Sequence, residues 1–370
     1  MKLTHLQTKK MLSKSTIVLL LCCPLFVFAE KMPQEFRIRL TKEFKVTAGS
    51  KVEVNNKYGK IVINIWDKPE CKAEIEIVGF GKNDEQARKI AEMVEIKESN
   101  PGGQVKLETK YNPAGTGSWF GSGKRDSKNY VNVNYVISVP ASLGILALRN
   151  NFGYILAREL PFRVSDIAIN YGFLDIGNAG HLLKVNMNYT DKARIGSAEQ
   201  LQVNANYSNL RCEDVNKLQI NSNNGNYSIG NADELRLNCN YDDYKITSIN
   251  AVNVNANYTN LKAESLKEAG VFSTSYTDVT IGRLHPSFKM LTIDGRYSSY
   301  KIGISKSTPF RVIASLRYGD LNTRSFEWKN VKTERKNQNL SFSAITTNAT
   351  DASALIKIDG AHCDVKLGGD

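Results

Sequence analysis

Residues 203–210, Val203-Asn204-Ala205-Asn206-Tyr207-Ser208-Asn209-Leu210, return at 254–261 as Val254-Asn255-Ala256-Asn257-Tyr258-Thr259-Asn260-Leu261. Looser copies surround them: Val185-Asn-Met-Asn-Tyr189-Thr-Asp and Leu237-Asn-Cys-Asn-Tyr241-Asp-Asp-Tyr244. Taking the aromatic residue as an anchor, the pattern runs through Phe152, Tyr171, Tyr189, Tyr207, Asn224, Tyr241, Tyr258, Tyr276, Tyr297 and Tyr318, in steps of 17 to 21 residues. Tyr58 and His362 sit in similar surroundings near the two ends. Repetition at this period marks an array whose units bury their apolar faces only against one another.

Within each unit the alternation is strict. Positions −4 and −2 from the anchor are apolar or small (Val203 and Ala205, Leu237 and Cys239), while −3 and −1 are polar, mostly Asn. Positions +3 and +5 are apolar again, as in Leu210 and Cys212 or Tyr244 and Ile246. Period-two alternation specifies strands with one buried face, so each unit reads as strand, tight bend, strand. The unit at Tyr189 has Ala193 and Ile195 where Lys192 and Arg194 would be in register, which predicts a one-residue bulge. Apolar residues do not recur every six positions, as a left-handed hexapeptide helix requires, and the glycine-rich calcium-binding nonapeptide signature is absent. The reading is all-β: a single elongated β-solenoid with two or three short faces per coil.

The boundaries follow from where the period holds. Residues 1–29 read as a signal peptide: Lys9, Lys10 and Lys14 precede an apolar run from Ile17 to Val27, with Ala29 at the cleavage position. Residues 30–145 read as an N-terminal β-rich cap with strands at 36–46, 51–65, 72–79, 104–110 and 130–139 and one helix over Asp84–Val94, capped by Asn83. The coils occupy 146–321. Residues 322–370 form a C-terminal cap, in which 322–350 reads as an inserted hairpin and 354–367 as a closing coil.

The net charge of +12 includes four lysines and no acid in residues 1–29, so the remaining chain carries +8. This mildly basic surface has no long basic run and does not point to nucleic acid. Outside the leader no segment is apolar enough to cross a membrane as a helix. Cys71, Cys212, Cys239 and Cys363 show neither a disulfide framework nor paired metal-ligand spacing. Cys212 and Cys239 share the apolar parity of their strands and are expected to be buried and unpaired.

The 84–94 helix and a strand ending in Val139-Pro140-Ala141 occur together with the turns Asn56-Lys-Tyr58-Gly59-Lys-Ile61, Asn151-Phe152-Gly153-Tyr-Ile155, Asn170-Tyr171-Gly172-Phe-Leu174, Asn224-Gly225 and Tyr318-Gly319-Asp-Leu321. In these the chain resembles the bacterial putative-adhesin β-strand-repeat family over nearly the whole mature length. The resemblance implies attachment and supplies no catalytic residues. Thr190, Ser208, Asp242, Thr259, Thr277 and Ser298 replace the glycine at several turns.

Each candidate chemistry has a plainer rival. The tyrosine column could be a platform for sugar rings; it shares the parity of the buried −4 and −2 positions, so a stacked structural ladder at a corner fits better. The asparagine columns could bind glycan or hydrogen-bond along the stack, and the second reading is the stronger. The loop 111–129 is rich in Gly and Ser, joins Trp119 to Phe120 and ends in Lys124 and Arg125. These four are the candidate contact residues, with the aromatics touching a partner or membrane surface and the cations steering an anionic one. Alternatively the two rings plug the stack. Asp191, Asp242, Asp243 and Asp278 lie near equivalent turns without a recognisable catalytic spacing, and His181, His285 and His362 share no motif. The function expected is therefore a non-enzymatic binding, adhesin-like or scaffolding role in the cell envelope. A polysaccharide-active β-helix enzyme, lyase or hydrolase, is the alternative. No cofactor or metal is implied. The expected partner is a glycan, cell-surface or envelope component, and the expected location is the periplasm or the cell surface.

Overall fold

The computed structural model describes residues 33–112 and 129–368. The chain is all-β with a single α-helix among the described residues, and its strands belong to one continuous, mostly parallel sheet.

The first part is antiparallel. Gln34–Lys45 pairs with Glu70–Gly81, which pairs on its other edge with Tyr130–Pro140. The helix, Asp84–Glu92, lies against this sheet through Ala87, Ile90 and Ala91. Asn83 caps it, its side chain accepting from the Gln86 N–H at 2.9 Å, with Asp84 and Glu85 in the first turn. The helix can approach because Gly79 and Gly81 present no side chain; a Cβ at Gly79 would sit 2.2 Å from the Ala87 carbonyl oxygen. It ends two residues before the expected Val94, because Val94 begins a strand, Val94–Ser99, antiparallel to Gln104–Tyr111. That strand, Val-Glu-Ile-Lys-Glu-Ser, is mostly exposed and lacks the apolar weight to stand out in the sequence.

Parallel pairing begins at Lys51–Trp66, earlier than the repeat period suggests. This strand takes Ile145–Leu160 on one side, and Gln104–Tyr111 and Tyr130–Pro140 on the other. From there the repeats lie in register one on the next. Val203 pairs with Ile220, Ile220 with Leu237, Leu237 with Val254 and Val254 with Phe272, so one −4 column runs through five repeats. Apolar columns of this kind join the N-terminal sheet in one hydrophobic core. Packing between neighbours, rather than within a unit, supplies the burial.

Each repeat is a nearly continuous strand, such as Asn209–Asn223. Its in–out alternation breaks twice, at the exposed pairs Glu213-Asp214 and Asn216-Lys217. Two successive outward residues turn the chain while keeping both neighbours inward, so with the anchor turn each repeat has three short runs. In the Tyr189 unit the extra residue falls in the turn itself: Lys192, at +3, pairs with Phe173, at +2 of its own unit.

The C-terminal residues do not close the stack last. Ala354–Ala361 inserts between Met290–Arg296 and Phe310–Arg317, parallel to both, and Asp364–Leu367 inserts between Ser299–Ile304 and Leu321–Asn322. The terminal position belongs to the expected hairpin, Trp328–Lys336 with Asn339–Thr346, whose inner strand pairs antiparallel with Phe310–Arg317. Its outer strand, Trp-Lys-Asn-Val-Lys-Thr-Glu-Arg-Lys, is almost entirely exposed. Its charges protect an edge that would otherwise invite pairing.

Candidate binding surface: an outward aromatic ladder

The anchor residues share one backbone conformation. Tyr58, Phe152, Tyr171, Tyr189, Tyr207, Asn224, Tyr241, Tyr258, Tyr276, Tyr297, Tyr318 and His362 all have φ between 48° and 64°. This left-handed region suits Gly and Asn; a bulky side chain there costs about 1 kcal/mol. The conformation turns the chain sharply and breaks the strand's alternation. The anchor side chain therefore points outward although its parity reads inward. The rings of Phe152 through Tyr318 are 41–56% exposed, which corrects the expectation that they share the buried side of the strand.

Parallel register places these rings one above another. Centroids are 5.0 Å apart for Phe152–Tyr171, 4.8 Å for Tyr171–Tyr189 and 5.1 Å for Tyr189–Tyr207. After Asn224 the series resumes with Tyr241–Tyr258 at 4.9 Å, Tyr258–Tyr276 at 4.8 Å and Tyr276–Tyr297 at 4.9 Å. The inserted C-terminal repeat contributes a rung: His362 stacks between Tyr297, at 4.5 Å, and Tyr318, at 4.9 Å. Tyr58 starts the ladder 5.4 Å from Phe152. The spacing is that of the strands. Aromatic pairs contribute about 0.5–1.5 kcal/mol each, which offsets the left-handed backbone. Stacking thus explains how so many tyrosines persist at positions that favour Asn.

Both flanks are polar. On one side the asparagine columns are tied along the stack: Asn188 donates to Asn170 and Asn206 to Asn188, each at 2.9 Å, while Asn204 donates to Asn186 and Asn221 to Asn204, also at 2.9 Å. This is the structural role read from the sequence. On the other side, shallow depressions run beside the rings, one lined by Tyr241, Tyr258 and Tyr276 with Asp243, Asn260 and Asp278. Another lies between Tyr171, Phe173, Tyr189, Asp191 and Lys192.

The residues that replace glycine after the anchor are buried, and their work is not legible from the repeat alone. Thr190, Ser208, Asp242, Thr259, Thr277 and Ser298 are each at most 5% exposed. The Ser208 hydroxyl accepts from the Thr190 N–H at 3.1 Å and donates to the Asn206 carbonyl at 2.8 Å. Thr277 and Ser298 repeat the arrangement, accepting from the N–H groups of Thr259 and Thr277. These hydroxyls satisfy backbone groups that the tight turn would leave unpaired.

Asp242 is the charged member of this column. It accepts from the Ser222 hydroxyl and the Gly225 N–H, both at 2.7 Å, and Ser222 also touches the Tyr244 hydroxyl at 2.7 Å. Burial nevertheless outweighs these bonds and raises its pKa to about 6. The Tyr227 hydroxyl nearby is buried, with no hydrogen-bond partner among the described residues.

The four acidic residues singled out in the sequence do not converge. Asp191, Asp243 and Asp278 lie outward on three levels, no two of them adjacent, and Asp242 lies inside. Among the described residues no three His, Cys, Asp or Glu side chains are placed to hold a metal ion. His181 contacts Glu199 at 2.9 Å, His285 contacts Ser287 at 2.7 Å, and His362 belongs to the ladder. Cys71, Cys212, Cys239 and Cys363 are buried free thiols, as expected for Cys212 and Cys239 from their parity. Burial pushes the thiols of Cys212 and Cys239 up to about 12. Trp119, Phe120, Lys124 and Arg125 lie outside the described residues, as do residues 1–29, read from the sequence as a leader. No helix among the described residues is long and apolar enough to cross a membrane.

The chain's structural neighbours include putative adhesins. One from Parabacteroides merdae is 14% identical, with a TM-score of 0.31 over 72% of this chain and 91% of its own. A second, from Parabacteroides distasonis, is 9% identical, with a TM-score of 0.32 over 72% and 92%. A protein from the same species named a putative lipid binding protein is 10% identical, with a TM-score of 0.31 over 89% and 96%. No family model matches the sequence. No curated protein matches it either.

Proposed function

We propose that this chain is an exported, non-enzymatic β-solenoid of the cell envelope that binds a surface component through its aromatic ladder. The solenoid reading is supported by in-register parallel pairing of successive repeats across columns such as Val203–Ile220–Leu237–Val254. Export is supported by the basic, then apolar, leader ending at Ala29. The observation that carries the binding reading is the outward placement of the rings. Interior columns hold the stack together without them, yet aromatic groups recur on one surface line at about half exposure. Contiguous exposed aromatic surface beside polar residues is the usual composition of a contact site. The adhesin-like neighbours agree in kind with this reading.

The test replaces Tyr189, Tyr207, Tyr258 and Tyr276 together by Asn. Asn favours the left-handed backbone, and Asn224 already occupies an anchor position, so the stacking lost is partly offset. The folded variant is expected to melt within a few degrees of the parent while its attachment to whole cells and isolated envelope material falls at least tenfold. Attachment at the parent level would refute the ladder as the contact surface.

A further inference from the structure

The ladder is broken once between Phe152 and Tyr318, at Asn224, and the break has a definite geometry. Asn224 keeps the backbone of the other rungs, with φ 57°, so its side chain starts out along the same line. An asparagine amide ends about where a phenol ring begins. The level beyond it is therefore bounded by two ring faces. Tyr207 stacks on Tyr189 and Tyr241 on Tyr258, each through one face only. The other faces look toward each other across two strand spacings, about 10 Å. Both rings are more than half exposed, Tyr207 at 51% and Tyr241 at 56%.

We propose that this gap is a slot for one pyranose ring of β-gluco configuration, held between Tyr207 and Tyr241. The proposal rests on the binding role proposed above and narrows its ligand. Thickness is the first argument. The gap is two strand spacings wide, so a single ring placed midway lies one spacing, about 5 Å, from each tyrosine, as the rungs of the ladder do. Polarity is the second. Each tyrosine face carries the negative end of its ring quadrupole, which favours a ring presenting C–H hydrogens on both sides. When every hydroxyl is equatorial, axial hydrogens cover both faces and the hydroxyls project from the edge. The third argument is what meets that edge. A depression beside the ladder spans this level and its neighbours, lined by Asn209, Asn226 and Asp243 together with Arg194, Arg211 and Lys245. The Asp243 carboxylate and the Asn224 amide have no hydrogen-bond partner among the described residues. A carboxylate and an amide beside the slot suit sugar hydroxyls, whereas they would have nothing to pair with on an aromatic ring.

The test uses the whole mature chain and two soluble probes, cellotetraose and N-acetylchitotetraose, which share the ring configuration and differ at the 2-substituent. Titration calorimetry is expected to show at least one of them binding at a single site. Asn224→Tyr should fill the slot and complete the ladder. It should melt at or above the parent temperature, because the new ring stacks on both sides, and lose at least tenfold in affinity. Tyr241→Asn should lose affinity similarly, while Tyr154→Asn, an exposed aromatic outside the ladder, should stay within twofold. The slot is overturned if neither saccharide binds, or if Asn224→Tyr binds like the parent. Equal losses for Tyr154→Asn and Tyr241→Asn would also overturn it. Failure of the broader ladder reading shows separately, as undiminished cell attachment by the fourfold Asn variant.

Discussion

Replacing Gly153 with alanine is expected to destabilise the protein more than any other single methyl addition at a turn glycine. Gly153 follows the anchor Phe152 and pairs with Gly59 in the strand below. A Cβ built on it would lie 1.7 Å from the Gly59 carbonyl oxygen and 2.8 Å from the Asn150 side-chain nitrogen. No rotamer relieves this, because the Cβ and the opposing oxygen are both fixed by the backbone. The same carbonyl accepts a hydrogen bond from the buried Asn150 amide at 2.9 Å, so moving the strands apart strands a polar group as well. The loss should be about 3 kcal/mol or more, read as a clear fall in the denaturant midpoint. Gly102→Ala is the control. That glycine has φ 60° but open space around it, so its variant should lose only about 1 kcal/mol. Equal effects of the two changes would show that the close approach at Gly153 is not what holds the glycine there.

The second large effect comes from Asp242. Its folded pKa of about 6 lies above the ordinary value of 3.8. A raised carboxyl pKa means that folding favours the protonated form. The stabilisation is full below pH 3.8, is lost as pH rises through about 6, and is gone above that. Relative to a neutral side chain, the ionised carboxylate therefore costs up to about 3 kcal/mol at pH 8. Asp242→Asn keeps an acceptor for the Gly225 N–H and gains a donor for Ser222. The variant should be more stable than the parent at pH 8, with the difference shrinking towards zero between pH 6 and pH 4. Melting curves at a series of pH values check this. A difference independent of pH would show that Asp242 acts through packing rather than charge.

How much of this could be read beforehand depends on range. Every anchor named from the repeat, including Tyr58, Asn224 and His362, takes the left-handed backbone. Asn at 224 was the clue to the conformation, since Asn tolerates positive φ and stands where its neighbours have Tyr. The direction of the rings was missed because parity was carried through the anchor, whereas one left-handed residue resets it. The residues at +1 looked like departures from a glycine turn; only the preceding repeat, which supplies the backbone N–H they cap, explains Ser208 or Thr277. Insertion of 354–367 between earlier strands is a long-range choice, invisible to a period read along the chain. The loop carrying Trp119, Phe120, Lys124 and Arg125 lies outside the described residues; the contact residues proposed above lie within the repeat.

Tyrosine nitration, read residue by residue by mass spectrometry with and without a bound cell surface, tests the central claim most directly. In the free protein the ladder residues Tyr171, Tyr189, Tyr207, Tyr258 and Tyr276 should be modified readily. Tyr227, Tyr244 and Tyr300, each at most 2% exposed, should not. On attachment the ladder residues should become protected as a group while the buried three stay unmodified. Ladder tyrosines that resist nitration in the free protein, or that react equally with and without the bound surface, would contradict the account.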